Sequence, residues 1–244
     1  MEKRPRCKTG IDQLDAEIEG GIPIGSTILI SGSSGVGKTT TCMQFLANGV
    51  KFGDSGVFFT SAESIVKIKK HLKGYDFFNE SLMKSGKLSI IDLWTISDRL
   101  GLDPDQYSAE DANILFEVIR DITKELNAKR VVIDSVTSLC YRLQTPEMIR
   151  DFIFKLGSSV ATLGCTSIIT SEVSPHVFRY SQYDIAEFIA DGIIFLSDID
   201  RQGDLIRTLQ IIKMRGTSHS RTKFAMSLSS KNGVSLAPLL RSRV

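Results

Sequence analysis

The chain has 244 residues, 42% hydrophobic and 24% charged, enough to bury one substantial core and ordinary for a globular protein. Thirty basic against 28 acidic residues leave a formal charge of +2, so no global field argues for nucleic acid or a membrane surface as partner. Residues 1–8 are polar and basic with no apolar signal-peptide stretch behind them, and no segment approaches the roughly 18 uninterrupted apolar residues of a membrane span. One domain over residues 1–244, in a reducing cytoplasm, is the expectation.

The predicted elements alternate. Residues 27–31 (TILIS) form a β-branched strand that enters a glycine-rich turn and then a helix over residues 38–52. Residues 56–61 (GVFFTS) make a second strand, and residues 64–73 a lysine-rich helix with Ile65, Ile68 and Leu72 at helical spacing. Residues 87–94 read as a third strand interrupted by Asp92, and residues 95–109, without a period, as a loop. Ile114, Leu115, Val118, Ile119, Ile122 and Leu126 stripe a helix ahead of the buried strand 130–135 (RVVIDS). A second stripe, Met148, Ile149, Phe152, Ile153, Leu156 and Val160, precedes the strand 166–170. Continuous apolar strands separated by amphipathic helices specify a mostly parallel sheet covered on both faces. Toward the C-terminus the pattern changes to strands at 192–196, 205–214, 222–229 and 234–236 with turns at 201–204 and 231–233, so antiparallel hairpins are expected to extend the sheet.

Between the first strand and its helix stand Gly32, Ser33, Ser34, Gly35, Val36, Gly37, Lys38 and Thr39, a match to G-x-x-x-x-G-K-[ST] in the strand–helix context that gives the motif its mechanics. At average residue frequencies the pattern arises by chance in roughly one chain of this length in a hundred. Glycines let successive N–H groups converge on a phosphate, and the helix start adds positive partial charge. Lys38 is expected on the β- and γ-phosphates, the Thr39 hydroxyl on Mg²⁺, and Thr40 beside it. A second anion for the metal comes from Asp134, at the end of an apolar strand expected beside the first and emerging at the ligand-binding edge of this fold class. Glu63, directly after the second strand, is the candidate to orient or deprotonate an attacking water, although a glutamate there also serves as a helix-dipole contact. Glu172, past the strand 166–170, is a weaker candidate for sensing the γ-phosphate.

Other chemistries find no support. Cys7, Cys42, Cys140 and Cys165 form no C-x-x-C pair and show no metal spacing with His71, His176 or His219; they read as small buried hydrophobes. No Ser-His-Asp set, paired carboxylates or dinucleotide fingerprint competes. Lys67, Lys69, Lys70, His71 and Lys73 cluster on one helix, which reads as a solvated face; a groove for single-stranded DNA would need interleaved aromatics.

Several strings together resemble one group, the KaiC-like branch of the RecA superfamily. They are Thr9-Gly10-Ile11-Asp12-Gln13-Leu14-Asp15, then Gly20-Gly21-Ile22-Pro23-Ile24-Gly25, the phosphate loop through Gln44-Phe45-Leu46, the run from Val132 to Leu139, and Lys213-Met214-Arg215-Gly216-Thr217-Ser218-His219. The resemblance implies a RecA-type fold, ATP and Mg²⁺ as ligands, and a homohexameric ring with ATP between subunits. It implies that Lys213, Met214, Arg215, Thr217 and His219 of one protomer meet the neighbour's ATP, and that the base stacks near residues 72–75. Two positions depart from the circadian clock protein for which this branch is named: Ala62-Glu63 keeps one of two adjacent glutamates, and Glu187-Phe188 stands where its phosphoacceptor pair would be. The expected function is a slow ATPase whose nucleotide state regulates an unidentified protein partner. The alternatives are a nucleotide-gated scaffold with little turnover, as an archaellum-motor ATPase relative might be, and a RecA-like DNA recombination protein.

Overall fold

The computed structural model describes residues 4–103, 105–174, 179–183 and 186–239. In chain order its elements are β1 (Arg6–Cys7), α1 (Asp12–Glu17), β2 (Ile22–Pro23), β3 (Thr27–Gly32), α2 (Lys38–Lys51), β4 (Gly56–Thr60), α3 (Ile65–Leu72), α4 (Ser81–Lys84), β5 (Leu88–Asp92) and α5 (Leu93–Arg99). There follow α6 (Ala109–Glu125), β6 (Arg130–Asp134), α7 (Val136–Cys140), α8 (Pro146–Thr162), β7 (Thr166–Glu172), α9 (Ala186–Ile189), β8 (Gly192–Arg201), β9 (Asp204–Met214), β10 (Lys223–Ser229) and β11 (Gly233–Pro238).

Nine strands form one sheet in the order β11-β10-β9-β8-β3-β7-β6-β4-β5, and β1 pairs with β2 apart from it. From β8 to β5 every pairing is parallel, and β8 through β11 pair antiparallel. The parallel part follows from strands that are apolar on both faces: all five residues of β4 and of β6 are buried. Along β3, Ile28 and Ile30 face one core with α2, α3 and the C-terminal hairpin, while Leu29 faces the other with α5 to α8. Successive side chains alternate across the pleat, so each parallel strand feeds both cores.

The expected loop at 95–109 is partly helix. Asp92 ends β5 and caps α5, its carboxylate accepting from the Trp94 amide at 3.0 Å, so the residue that seemed to interrupt the strand stops it. Within α5 the buried Ser97 takes an inward position, donating to the Leu93 carbonyl and accepting from the Tyr107 hydroxyl. That inward serine hid the helical period. The strand at 166–170 runs on to Glu172. The four C-terminal strands form the antiparallel extension the sequence pattern predicts, and no helix among the described residues is long and apolar enough to cross a membrane.

Two buried polar side chains fasten the N-terminal segment and the hairpin to α2. Gln44 accepts from the Val234 amide (2.7 Å) and donates to the Gly10 carbonyl (3.1 Å). Arg130, 1% exposed, pairs with Asp54 at 2.8 Å, donates to the carbonyls of Lys8 and Phe45, and lies 4.7 Å over the Phe45 ring. Both orient the helix whose first turn opens the site.

Candidate functional site

The site begins where β3 ends. At Gly32 a Cβ would stand 2.3 Å from the Leu196 carbonyl oxygen, so only glycine lets the chain turn here against β8. Val36 points inward and is buried, which anchors the loop's middle, while Ser34 and Gly35 beside it are exposed. Gly37 then starts α2 with φ of 103°, a left-handed conformation that favours glycine, and contributes no side-chain cap. The two other long helices, α6 and α8, cap their first turns with Ser108 and Thr145. The first N–H groups of α2 are thus free of side-chain caps, and they present their partial positive charge where an anion would sit.

Ser34, Gly35, Gly37, Lys38, Thr39 and Thr40 line a cavity of about 420 Å³ together with Ala62, Glu63, Asp134, Ser135 and Glu172. Ile68, His71, Leu72, Tyr75 and Leu228 line the same cavity. Lys38 Nζ donates to the carbonyls of Gly32 and Ser33 at 2.8 Å each. Burial pushes its pKa below the usual lysine value, and the negative charges of Glu172 and Asp134 pull it back up. Asp134 is held from two sides: its Oδ2 accepts from the Thr39 hydroxyl and its Oδ1 from the Thr170 hydroxyl, both at 2.6 Å. β6 is not beside β3 as expected; β7 lies between them, and Asp134 reaches the loop across it.

One carboxylate and one hydroxyl 2.6 Å apart are hard oxygen donors of the kind Mg²⁺ takes while keeping water and phosphate oxygens for its remaining positions. No group of three His, Cys, Asp or Glu side chains that could hold a metal alone occurs among the described residues. The donor set therefore fits a magnesium ion shared with a phosphate ligand.

Glu63 sits in the loop after β4, where the Thr60 hydroxyl donates to its carbonyl (2.7 Å) and accepts from its amide (3.2 Å). That turn ties it to the strand end that pairs in register with Asp134. His71 of α3 brings Nδ1 to 3.8 Å from Glu63 Oε1. Glu172 is the last residue of β7, its amide bonded to the Thr137 hydroxyl at 3.0 Å.

The residues 213–219 lie elsewhere. β9 runs antiparallel to β8, and Met214 pairs with Gly192, which itself pairs with Ile28 near the start of β3. The stretch therefore stands at the amino edge of the parallel strands, opposite the phosphate loop. Lys213 is no solvated strand residue: it is partly buried, and its Nζ donates to the carbonyls of Glu187 and Ala190 at 3.0 and 2.8 Å. Arg215 lies 3.4 Å from Asp191. Thr217 accepts from Arg6 at 2.7 Å, and His219 Nδ1 meets the Thr217 carbonyl at 3.2 Å while Nε2 is buried with no hydrogen-bond partner among the described residues.

Thr170 and His71 were not singled out for this site by sequence. Thr170 is a hydroxyl in an apolar strand, and its place next to Asp134 depends on which strands are neighbours. His71 looked like one more charge on a basic helix; the spacing of eight residues from Glu63 carries meaning only once α3 is seen to line the cavity.

The family model described as "ATPase: KaiC" matches residues 7–241. A UPF0273 protein of Thermotoga maritima is 36% identical over 236 residues, 96% of each chain. The circadian clock oscillator protein KaiC of Parathermosynechococcus lividus is 31% identical over 239 residues, and these cover 96% of this chain but 43% of that protein. A crystal structure of a KaiC-like protein from Pyrococcus horikoshii OT3 superposes with a TM-score of 0.84 at 33% identity, covering 97% of this chain and all of the other. With the phosphate loop, the sheet order and these matches in agreement, the chain belongs to the KaiC family of ATPases and carries its RecA-type fold.

Proposed function

We propose that this chain binds ATP with Mg²⁺ at the 32–39 loop and hydrolyses it slowly, in a ring whose nucleotide state regulates a protein partner. The observation that carries the reading is the convergence of Lys38, Thr39, Asp134 and Glu63 on one cavity that Ile68, Leu72 and Leu228 also line. Lys38 would exchange its loop carbonyls for β- and γ-phosphate oxygens, a move within reach of one flexible side chain. Thr39 and Asp134 would hold the ion, which when bound offsets charge on those phosphates. Glu63 would orient the attacking water or take its proton, and Leu72 and Tyr75 offer the base an apolar seat.

Lys213, Arg215 and His219 enter this proposal in trans. Their distance from the chain's own phosphate loop means that basic groups of this segment could meet a nucleotide only across a subunit boundary, which supports a ring and ties turnover to assembly. The scaffold reading, binding without turnover, draws on one observation: Ala62 lines the cavity where the clock protein has a second glutamate. Steady-state ATPase of wild type and Glu63→Gln, with ATP binding measured in parallel, separates the two. Turnover in wild type that falls at least tenfold in Glu63→Gln, with binding retained, supports the enzyme; tight binding with no turnover in either protein removes it.

A further inference from the structure

We infer that Thr170 is a positioning residue for the metal-holding carboxylate, acting through Asp134 and touching neither nucleotide nor ion. This rests on the phosphate-loop reading above. Thr170 lies in the middle of the sheet, pairing in register with Ile30 of β3, and is fully buried. A hydroxyl at such a depth needs a partner. Its own is the Asp134 Oδ1, at 2.6 Å, with Thr39 on the other oxygen at the same distance.

The consequence is rotational. A carboxylate at the end of a strand turns about its χ2 torsion over a broad range. Thr170, on the strand between β3 and β6, holds Oδ1 down into the sheet and so leaves Oδ2 facing Thr39 and the loop. Orienting partners of this kind behind a metal ligand typically matter by about 10–100-fold in metal affinity. Thr170 is also separate from the phosphate cradle, because it does not line the cavity. Its effect should therefore fall on the metal and spare nucleotide contacts that need no metal.

The test compares wild type, Thr170→Val and Thr170→Ser by titrating Mg²⁺ against binding of a fluorescent ATP analogue, with metal-free binding in EDTA as a second series. Valine keeps the shape and removes the donor; serine keeps the donor. The expected result is a Mg²⁺ half-saturation raised about tenfold or more in Thr170→Val, near wild type in Thr170→Ser, and EDTA affinities equal in all three. Half-saturation in Thr170→Val within twofold of wild type would overturn the role, as would an equal loss in the serine variant. If the wild type itself bound no nucleotide, or bound it with no response to Mg²⁺, the phosphate-loop reading would fall and this inference with it.

Discussion

Replacing Lys38 by Met separates what this residue does for the fold from what it does for a ligand. In the folded chain its ammonium makes two charge-assisted bonds to loop carbonyls, each contributing about 1.5–3 kcal/mol. Opposing them is the cost of burying the charge, several kcal/mol for an ion withdrawn from water. The two nearly cancel, so Lys38→Met should shift stability by no more than about 2 kcal/mol, or under about 8 °C in melting temperature at this chain length. Binding has no such cancellation: removing one partner of a desolvated charge pair costs about 2–5 kcal/mol, a loss of roughly thirty-fold to several thousand-fold. The pH dependence has a definite sign. Burial lowers the folded-state pKa below 10.5, so in the interval between the two values the unfolded chain binds more protons and stability rises with pH. That rise should be absent in Lys38→Met. Thermal melts across pH 7–11 and fluorescent-ATP titrations check each part; a variant that binds ATP within threefold of wild type refutes the reasoning.

Two further outcomes follow from the buried groups. Arg130→Met unpairs the half-buried Asp54 and removes the donor to the carbonyls of Lys8 and Phe45; at about 1–3 kcal/mol for each carbonyl left without a donor, a loss of about 2–5 kcal/mol, seen as a melting drop of roughly 4–20 °C, is expected by differential scanning fluorimetry, and a drop under about 3 °C would contradict it. All four cysteines are buried, and burial pushes Cys7 up to about 11 and Cys140 up to about 12. The thiolate fraction at pH 8 is then on the order of one in a thousand or less for those two, so the native protein should react with a disulfide reagent only on the unfolding timescale; rapid labelling of Cys7 or Cys140 would show that the N-terminal segment or α7 opens locally.

Much of this architecture could be read from residue pattern because the signals were local. The runs TILI, VFF and RVVID carry apolar residues on both faces, and only a parallel sheet covered by helices on both sides buries them so. The turn from β3 into α2 was legible for the same reason: its glycines, Lys38 and Thr39 are contiguous between a strand and a helix. What escaped depends on neighbours distant in sequence. That β7 separates β3 from β6 is a fact of strand order, and with it comes Thr170 against Asp134. Short helices such as α1 and α7 carry too few apolar residues to show a period, and α1 buries Asp15 against the Thr9 amide and hydroxyl, a polar contact no hydrophobic pattern announces. The placement of residues 213–219 opposite the phosphate loop likewise follows from the β8–β9 hairpin turning the chain back along the sheet.

Equilibrium dialysis of the 244-residue chain against ATP, with Mg²⁺ and with EDTA, tests the central claim most directly. Saturable uptake approaching about one nucleotide per chain, tighter when the metal is supplied, is the predicted result. No saturable uptake at millimolar ATP with Mg²⁺ present would contradict the account at its root.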